Sequence, residues 1–207
     1  MRGFIITGTD TGVGKTVFAA GLTAHLRARY WKPVQAGLDE ETDSETVARL
    51  AAPYASVIYP EAYRLRTPCS PHEAARIDGL TIDPDRLAVP SGEGPLVIEG
   101  AGGVLVPLAD GLLSVDMFAR WGLPVILVAR TQLGTINHSL LSIEALRSRG
   151  MTLAGIAFCG EANPASEAAI TGMGAAAHLG RLPMLDPLTP ASLLEAFSQN
   201  IRSEHLR

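Results

Sequence analysis

The run Gly8-Thr9-Asp10-Thr11-Gly12-Val13-Gly14-Lys15-Thr16 joins a short apolar stretch to a segment of helical period. A strand, a glycine-rich turn and a helix opening on Gly-Lys-Thr cradle phosphates. Glycines let backbone N–H groups converge, and the helix N-terminus adds partial positive charge. In this arrangement Lys15 reaches the outer phosphates of a nucleoside triphosphate and the Thr16 hydroxyl ligates magnesium. Five residues separate Gly8 from Gly14, one more than in the standard loop. A plain glycine turn that happens to precede a lysine is the bland alternative.

Leu96-Val97-Ile98-Glu99 is apolar until a carboxylate at its end. Ligands of open α/β sheets gather at the C-terminal ends of strands, so Glu99 can face the same magnesium. Gly100-Ala101-Gly102-Gly103 then allows close backbone approach to a charged ligand, or simply makes a tight turn. Lys32 precedes Pro33, which keeps the chain extended, and it is either a second cation beside Lys15 or a solvated surface lysine. Asp43 stands just before a helical segment, as a helix N-terminal acid or a further magnesium ligand. His72 and His138 lack metal-spaced partners and read as polar surface or caps.

Short apolar runs alternate with segments of helical period, the pattern of βαβ units around a parallel sheet covered on both faces. Strands are expected over Phe4–Thr7, Trp31–Val34, Leu96–Glu99, Val125–Ala129 and Leu153–Phe158, with a further one over His178–Leu182. Helices are expected over Lys15–Arg29, Ser44–Ala52, Ser114–Arg120, Asn137–Ser148 and Thr189–Phe197. Pro53 to Pro95 is proline-rich without a clean period and reads as an excursion with one short helix around Pro71–Arg76. No internal repeat or long linker appears, so 1–207 reads as a single domain.

The 207 residues are 47% hydrophobic and 18% charged, ordinary for a globular chain that builds its own core. A formal net charge of −4 and no basic run speak against nucleic acid as a partner. Cys69 and Cys159 form no C-x-x-C pair and no zinc-spaced set, and read as reduced thiols of a cytoplasmic protein. No stretch approaches the apolar length of a membrane span.

Taken in order, the glycine loop, Lys32-Pro33-Val34, Ser70-Pro71-His72, Glu99-Gly100-Ala101-Gly102-Gly103 and Leu133-Gly134-Thr135-Ile136-Asn137-His138 resemble the dethiobiotin synthetase family, from the first strand to about Gly155. The resemblance implies a three-layer P-loop NTPase fold with a mainly parallel central sheet flanked by helices. It implies closure of a ureido ring on 7,8-diaminononanoate with CO2 and ATP, in biotin biosynthesis. A carbamate on the diamine is phosphorylated, and the neighbouring amine then displaces phosphate.

Carried across matched positions, the resemblance has Thr16, Asp43 and Glu99 hold magnesium while Lys15 and Lys32 stabilise the carbamate and the migrating phosphoryl. ATP lies against Gly12, Val13, Gly14, Lys15, Thr16, Val17, Glu99, Gly100, Ala101 and Gly102, with its base near Cys159, Gly160, Leu182, Pro183 and Met184. The diamine meets Thr11 and Ala36, and its carboxylate meets Gly134, Thr135, Ile136 and Asn137 across a homodimer interface.

Three positions depart from the family pattern. Gln35-Ala36-Gly37 replaces a hydroxyl near the diamine, Gly12 stands where an acid is common, and Cys159-Gly160 replaces an Asn-Asp type pair that reads adenine. Other triphosphates are therefore expected to be tolerated. A nucleotide-switched partition ATPase is the rival reading, but such proteins resemble a loop with a lysine where Asp10 stands. Other ring- or amide-forming ligases usually add a glutamine-hydrolysing domain, for which this chain has no room, and a non-catalytic nucleotide-binding subunit would not need Lys15, Thr16 and Glu99 intact.

Overall fold

In the computed structural model, which describes residues 2–206, the chain runs β1 (Gly3–Gly8), α1 (Lys15–Leu26), β2 (Arg29–Trp31), β3 (Val34–Ala36), α2 (Asp43–Ala51), β4 (Val57–Tyr59), β5 (Tyr63–Leu65) and α3 (Pro71–Ile77). It continues through β6 (Leu96–Gly103), β7 (Pro107–Ala109), β8 (Leu112–Leu113), α4 (Ser114–Trp121), β9 (Val125–Arg130), α5 (Thr135–Arg147), β10 (Leu153–Cys159), α6 (Pro164–Met173), β11 (His178–Leu182) and α7 (Pro190–Asn200). Seven strands form one sheet in the order β11-β10-β9-β1-β6-β2-β4, every pair parallel.

Successive residues of a strand point to opposite faces, and here both faces are covered, which is why the strands read as unbroken apolar runs. Ile5, Ile98 and Leu127 pack on one side with residues of α3, α4, α5 and α6. Ile6, Val97 and Val128 pack on the other with α1, α2 and α7. The result is three layers, with β1 at the centre between β6 and β9. The glycine loop leaves the C-terminal end of β1, where the crevice of an open α/β sheet lies.

The expected strand Trp31–Val34 is in fact two strands in two sheets. Pro33 has no N–H to donate, so the β2 ladder stops at Trp31, and Val34–Ala36 pairs instead with β5. Lys32 occupies the break. The helix expected to reach Arg29 ends at Leu26, because Arg27 turns left-handed (φ 49°) and Arg29 already pairs in the sheet. The excursion between Pro53 and Pro95 holds β4 and β5, three-residue strands too short to show a period. Helix α6, not expected from periodicity, begins with Pro164 behind an Asn163 side-chain cap.

Candidate active site

Helix α1 opens directly out of the loop because Gly14 takes φ 93°, a conformation costly for residues with a Cβ. A Cβ there would also stand 2.8 Å from Cys159 Cβ, so the close approach of loop and β10 requires glycine as well. Two cavities flank the loop and share Gly12, Gly14 and Val17.

The first cavity, about 580 Å³, brings together Thr11, Gly12, Gly14, Lys15, Thr16, Val17, Lys32, Ala36, Asp43, Glu99, Ala101 and Gly102. Residues from five separate segments thus converge on one volume. Lys32 is 3% exposed and Glu99 is completely buried. The Lys32 ammonium lies 2.5 Å from Asp43 Oδ2, 3.3 Å from Glu99 Oε1 and 3.1 Å from the Gly100 carbonyl.

Asp43 reaches this point because Thr42 and Glu45 form a reciprocal cap that starts α2 at Asp43, and because the Asp43 N–H donates to Gln35 Oε1. It is therefore both a first-turn acid of the helix and a cavity carboxylate. Lys15 donates to the Asp10 carbonyl at 2.8 Å.

Burial pulls the Lys32 pKa down, but Glu99 and then Asp43 outweigh it and hold the ammonium above the ordinary lysine value. Burial lowers Lys15, and the neighbouring Lys32 charge lowers it further. Glu99 is pushed up by burial against the pull of Lys32. In Asp43 the opposing effect of burial is overcome by Lys32 and Thr16, leaving its carboxyl below the usual range.

Thr16 Oγ1 lies 2.8 Å from Asp43 Oδ1 and 2.9 Å from Glu99 Oε1. One hydroxyl carries one proton and can donate fully to only one of them. Two carboxylates and a hydroxyl form a hard oxygen set that suits magnesium, which keeps several waters and adds phosphate oxygens. Among the described residues no group of three or more His, Cys, Asp or Glu converges, so the set does not suit an all-protein cage.

The second cavity, about 420 Å³, is lined by Gly12, Val13, Gly14, Cys159, Gly160, Leu182, Pro183 and Met184, among others. Both backbone groups of Gly160 already have partners. Its N–H donates to Leu182 O at 3.0 Å, and its carbonyl accepts from Arg181 at 2.8 Å. Burial pushes the Cys159 thiol up to about 12.

Gly134, Thr135, Ile136 and Asn137 lie outside both cavities of their own chain, at the start of α5. Leu133 there is fully exposed, and Leu141 on the same helix and Leu105 nearby are exposed as well. Gly100 meets the site only through its carbonyl to Lys32. His72 lines neither cavity. His138 flanks a groove with Asp10, Leu105 and Leu141.

The first cavity also holds Gln35, which the sequence places near the diamine without a role, and Cys69, and the second holds Arg130, Gln132 and Glu161, none of which the sequence singles out as site residues.

The sequence matches the family described as "AAA domain" over residues 2–192. An ATP-dependent dethiobiotin synthetase BioD of Agrobacterium fabrum is 61% identical over 95% of this chain and 93% of its own length. One from Novosphingobium aromaticivorans is 57% identical over 99% and 98%. Among solved structures, the Pyrococcus furiosus cell division ATPase MinD superposes with a TM-score of 0.60 at 14% identity, covering 95% of this chain and 89% of that one. A ParA family ATPase from Chlorobium tepidum gives 0.57 at 12%, covering 96% and 92%. At these identities the structural likeness establishes the fold alone.

Proposed function

The chain belongs to the family of ATP-dependent dethiobiotin synthetases, and from that premise we propose that it closes the ureido ring of dethiobiotin on 7,8-diaminononanoate, using CO2 and ATP with magnesium. One observation carries the site assignment: two buried lysines and two carboxylates from separate segments meet in one cavity at the mouth of a phosphate-cradling loop.

An amine of the diamine adds to CO2 and loses a proton to give a carbamate. A carbamate oxygen takes the terminal phosphoryl of ATP, releasing ADP. The second amine then attacks the carbamoyl carbon, loses a proton and expels phosphate as the ring closes. Such chemistry asks mainly for positioning and neutralisation of charge. Lys15 and Lys32 supply two fixed cations that are themselves buried, where each is worth more than it would be in solvent.

Thr16, Asp43 and Glu99 would hold magnesium, which supplies charge neutralisation on the phosphates when bound. The backbone of Gly12 to Val17 and of Ala101 and Gly102 would line the phosphates, with Gly100 behind them holding Lys32 through its carbonyl. Cys159, Gly160, Leu182, Pro183 and Met184 would flank the base, where apolar walls favour a stacked ring over a read edge.

Thr11 and Ala36 would meet the diamine. The turn from Gly134 to Asn137, exposed except at Thr135, whose buried hydroxyl donates to the Arg130 carbonyl, lies outside its own chain's cavities and would serve the cavity of a second copy, making a homodimer the working unit. Exposed Leu105, Leu133 and Leu141 support that interface. The whole of 1–207 would act as one domain. A cytoplasmic location fits the described residues, where no helix is long and apolar enough to cross a membrane.

The test is phosphate release with ATP, magnesium and bicarbonate, with and without the diamine, alongside mass spectrometry of the product. Diamine-dependent release matched by dethiobiotin supports the reading. Diamine-independent hydrolysis would leave only a phosphate-binding loop and favour a nucleotide-switched ATPase.

A further inference from the structure

Tyr30 has no role in the chemistry above, yet it is a large and completely buried side chain whose hydroxyl donates 2.8 Å to Glu99 Oε2, itself without exposure. The sheet register explains the reach. Tyr30 on β2 pairs with Val97 on β6, and both pack in the layer facing α1. Glu99, two residues beyond Val97, shares that face. The tyrosine ring therefore runs along the sheet toward its C-terminal edge and ends on the carboxylate of the neighbouring strand.

The two oxygens of Glu99 are thereby divided. Oε2 is held from within the core by Tyr30, while Oε1 faces Thr16 at 2.9 Å and Lys32 at 3.3 Å. The last torsion of a glutamate is broad, so a carboxylate without a donor at one oxygen can turn out of this plane and lose the orientation in which a single oxygen faces the cavity.

We propose that Tyr30 is a positioning residue for the divalent cation: its hydroxyl pins Oε2 of Glu99 so that Oε1 alone is presented to the metal. The proposal rests on the reading of Glu99 as a magnesium ligand. Hydrogen-bond partners of ligating carboxylates commonly change metal affinity by about 10- to 100-fold. A tyrosine here does what an apolar strand residue cannot, since phenylalanine has the same ring and no donor.

The test compares wild type with Tyr30→Phe, measuring ADP affinity by calorimetry in EDTA and in saturating magnesium, and Mn²⁺ affinity of the ADP complex by electron paramagnetic resonance. Expected is a loss of about 10-fold in Mn²⁺ affinity for the variant, with ADP affinity in EDTA unchanged. In a Glu99→Gln background the same substitution has no further effect on Mn²⁺. Unchanged Mn²⁺ affinity, or an equal loss of ADP affinity with and without metal, overturns the proposal and leaves Tyr30 a core residue. A wild type whose ADP affinity ignores metal sinks the magnesium reading itself, and the proposal with it.

Discussion

The ammonium of Lys32 lies 2.5 Å from Asp43 Oδ2, although 11 positions separate the two residues and one stands in a strand break while the other starts a helix. That contact joins the proline-made gap after β2 to the capped start of α2. It keeps a buried cation over the cavity, with Glu99 beneath.

Removing the cation strands Glu99 in the core. Lys32→Ala is expected to lower stability by about 3 kcal/mol, since an unpaired buried charge is what remains. For a chain of this length that corresponds to a melting temperature lower by roughly 6–12 °C. Turnover falls by about 10²-fold or more if Lys32 also stabilises the migrating phosphoryl. Calorimetry and a phosphate-release assay read the two effects separately, and an unaltered rate removes Lys32 from the mechanism.

Asp43 contacts both Thr16 and Lys32. Asp43→Asn keeps the shape and removes the charge, so the magnesium concentration for half-maximal turnover should rise by at least about 10-fold. A magnesium titration that superposes on wild type would count against Asp43 as a ligand.

The two thiols should differ in reactivity. Cys69 is exposed, whereas Cys159 is half-buried in the wall of the second cavity, where desolvation pushes its thiol up to about 12, so at pH 8 it is almost entirely the unreactive thiol. Ellman's reagent should titrate one sulfhydryl per native chain and two after denaturation. The linkage has a definite sign. In the unfolded chain Cys159 ionises near its ordinary value of about 8.5, so between there and about 12 the folded state binds more protons. The contribution of Cys159 to stability therefore falls as pH rises through that window, and a Cys159→Ser variant should show a shallower alkaline decline.

Base selectivity should be weak. Both backbone groups of Gly160 are already paired, and Cys159 has no side-chain amide to offer. ATP and CTP should support turnover with kcat/KM values within about 10-fold, because no dedicated hydrogen-bond pair is left unmatched by the wrong base. Activity confined to ATP would instead point to readers such as Gln132 or Glu161 at the cavity rim.

If exposed Leu105, Leu133 and Leu141 cover a second copy, Leu141→Arg should convert a dimer to a monomer in sedimentation. It should also abolish diamine-dependent phosphate release while sparing ADP binding. A monomeric wild type with full activity would exclude the shared site.

Much of this protein is local and therefore legible in the sequence. The glycine loop, its lysine and threonine, the carboxylate closing β6 and the both-sides-buried sheet all follow from contiguous residues, because backbone freedom, helix termini and side-chain alternation act over a few positions. What tertiary structure alone decided is which distant groups share a volume. That Asp43 opens a helix and enters the cavity at once, that Lys32 sits in a break rather than within a strand, and that Tyr30 holds Glu99 from the adjacent strand depend on sheet order and register. Those are set by long-range packing of the three layers, on which the spacing of residues along the chain is silent.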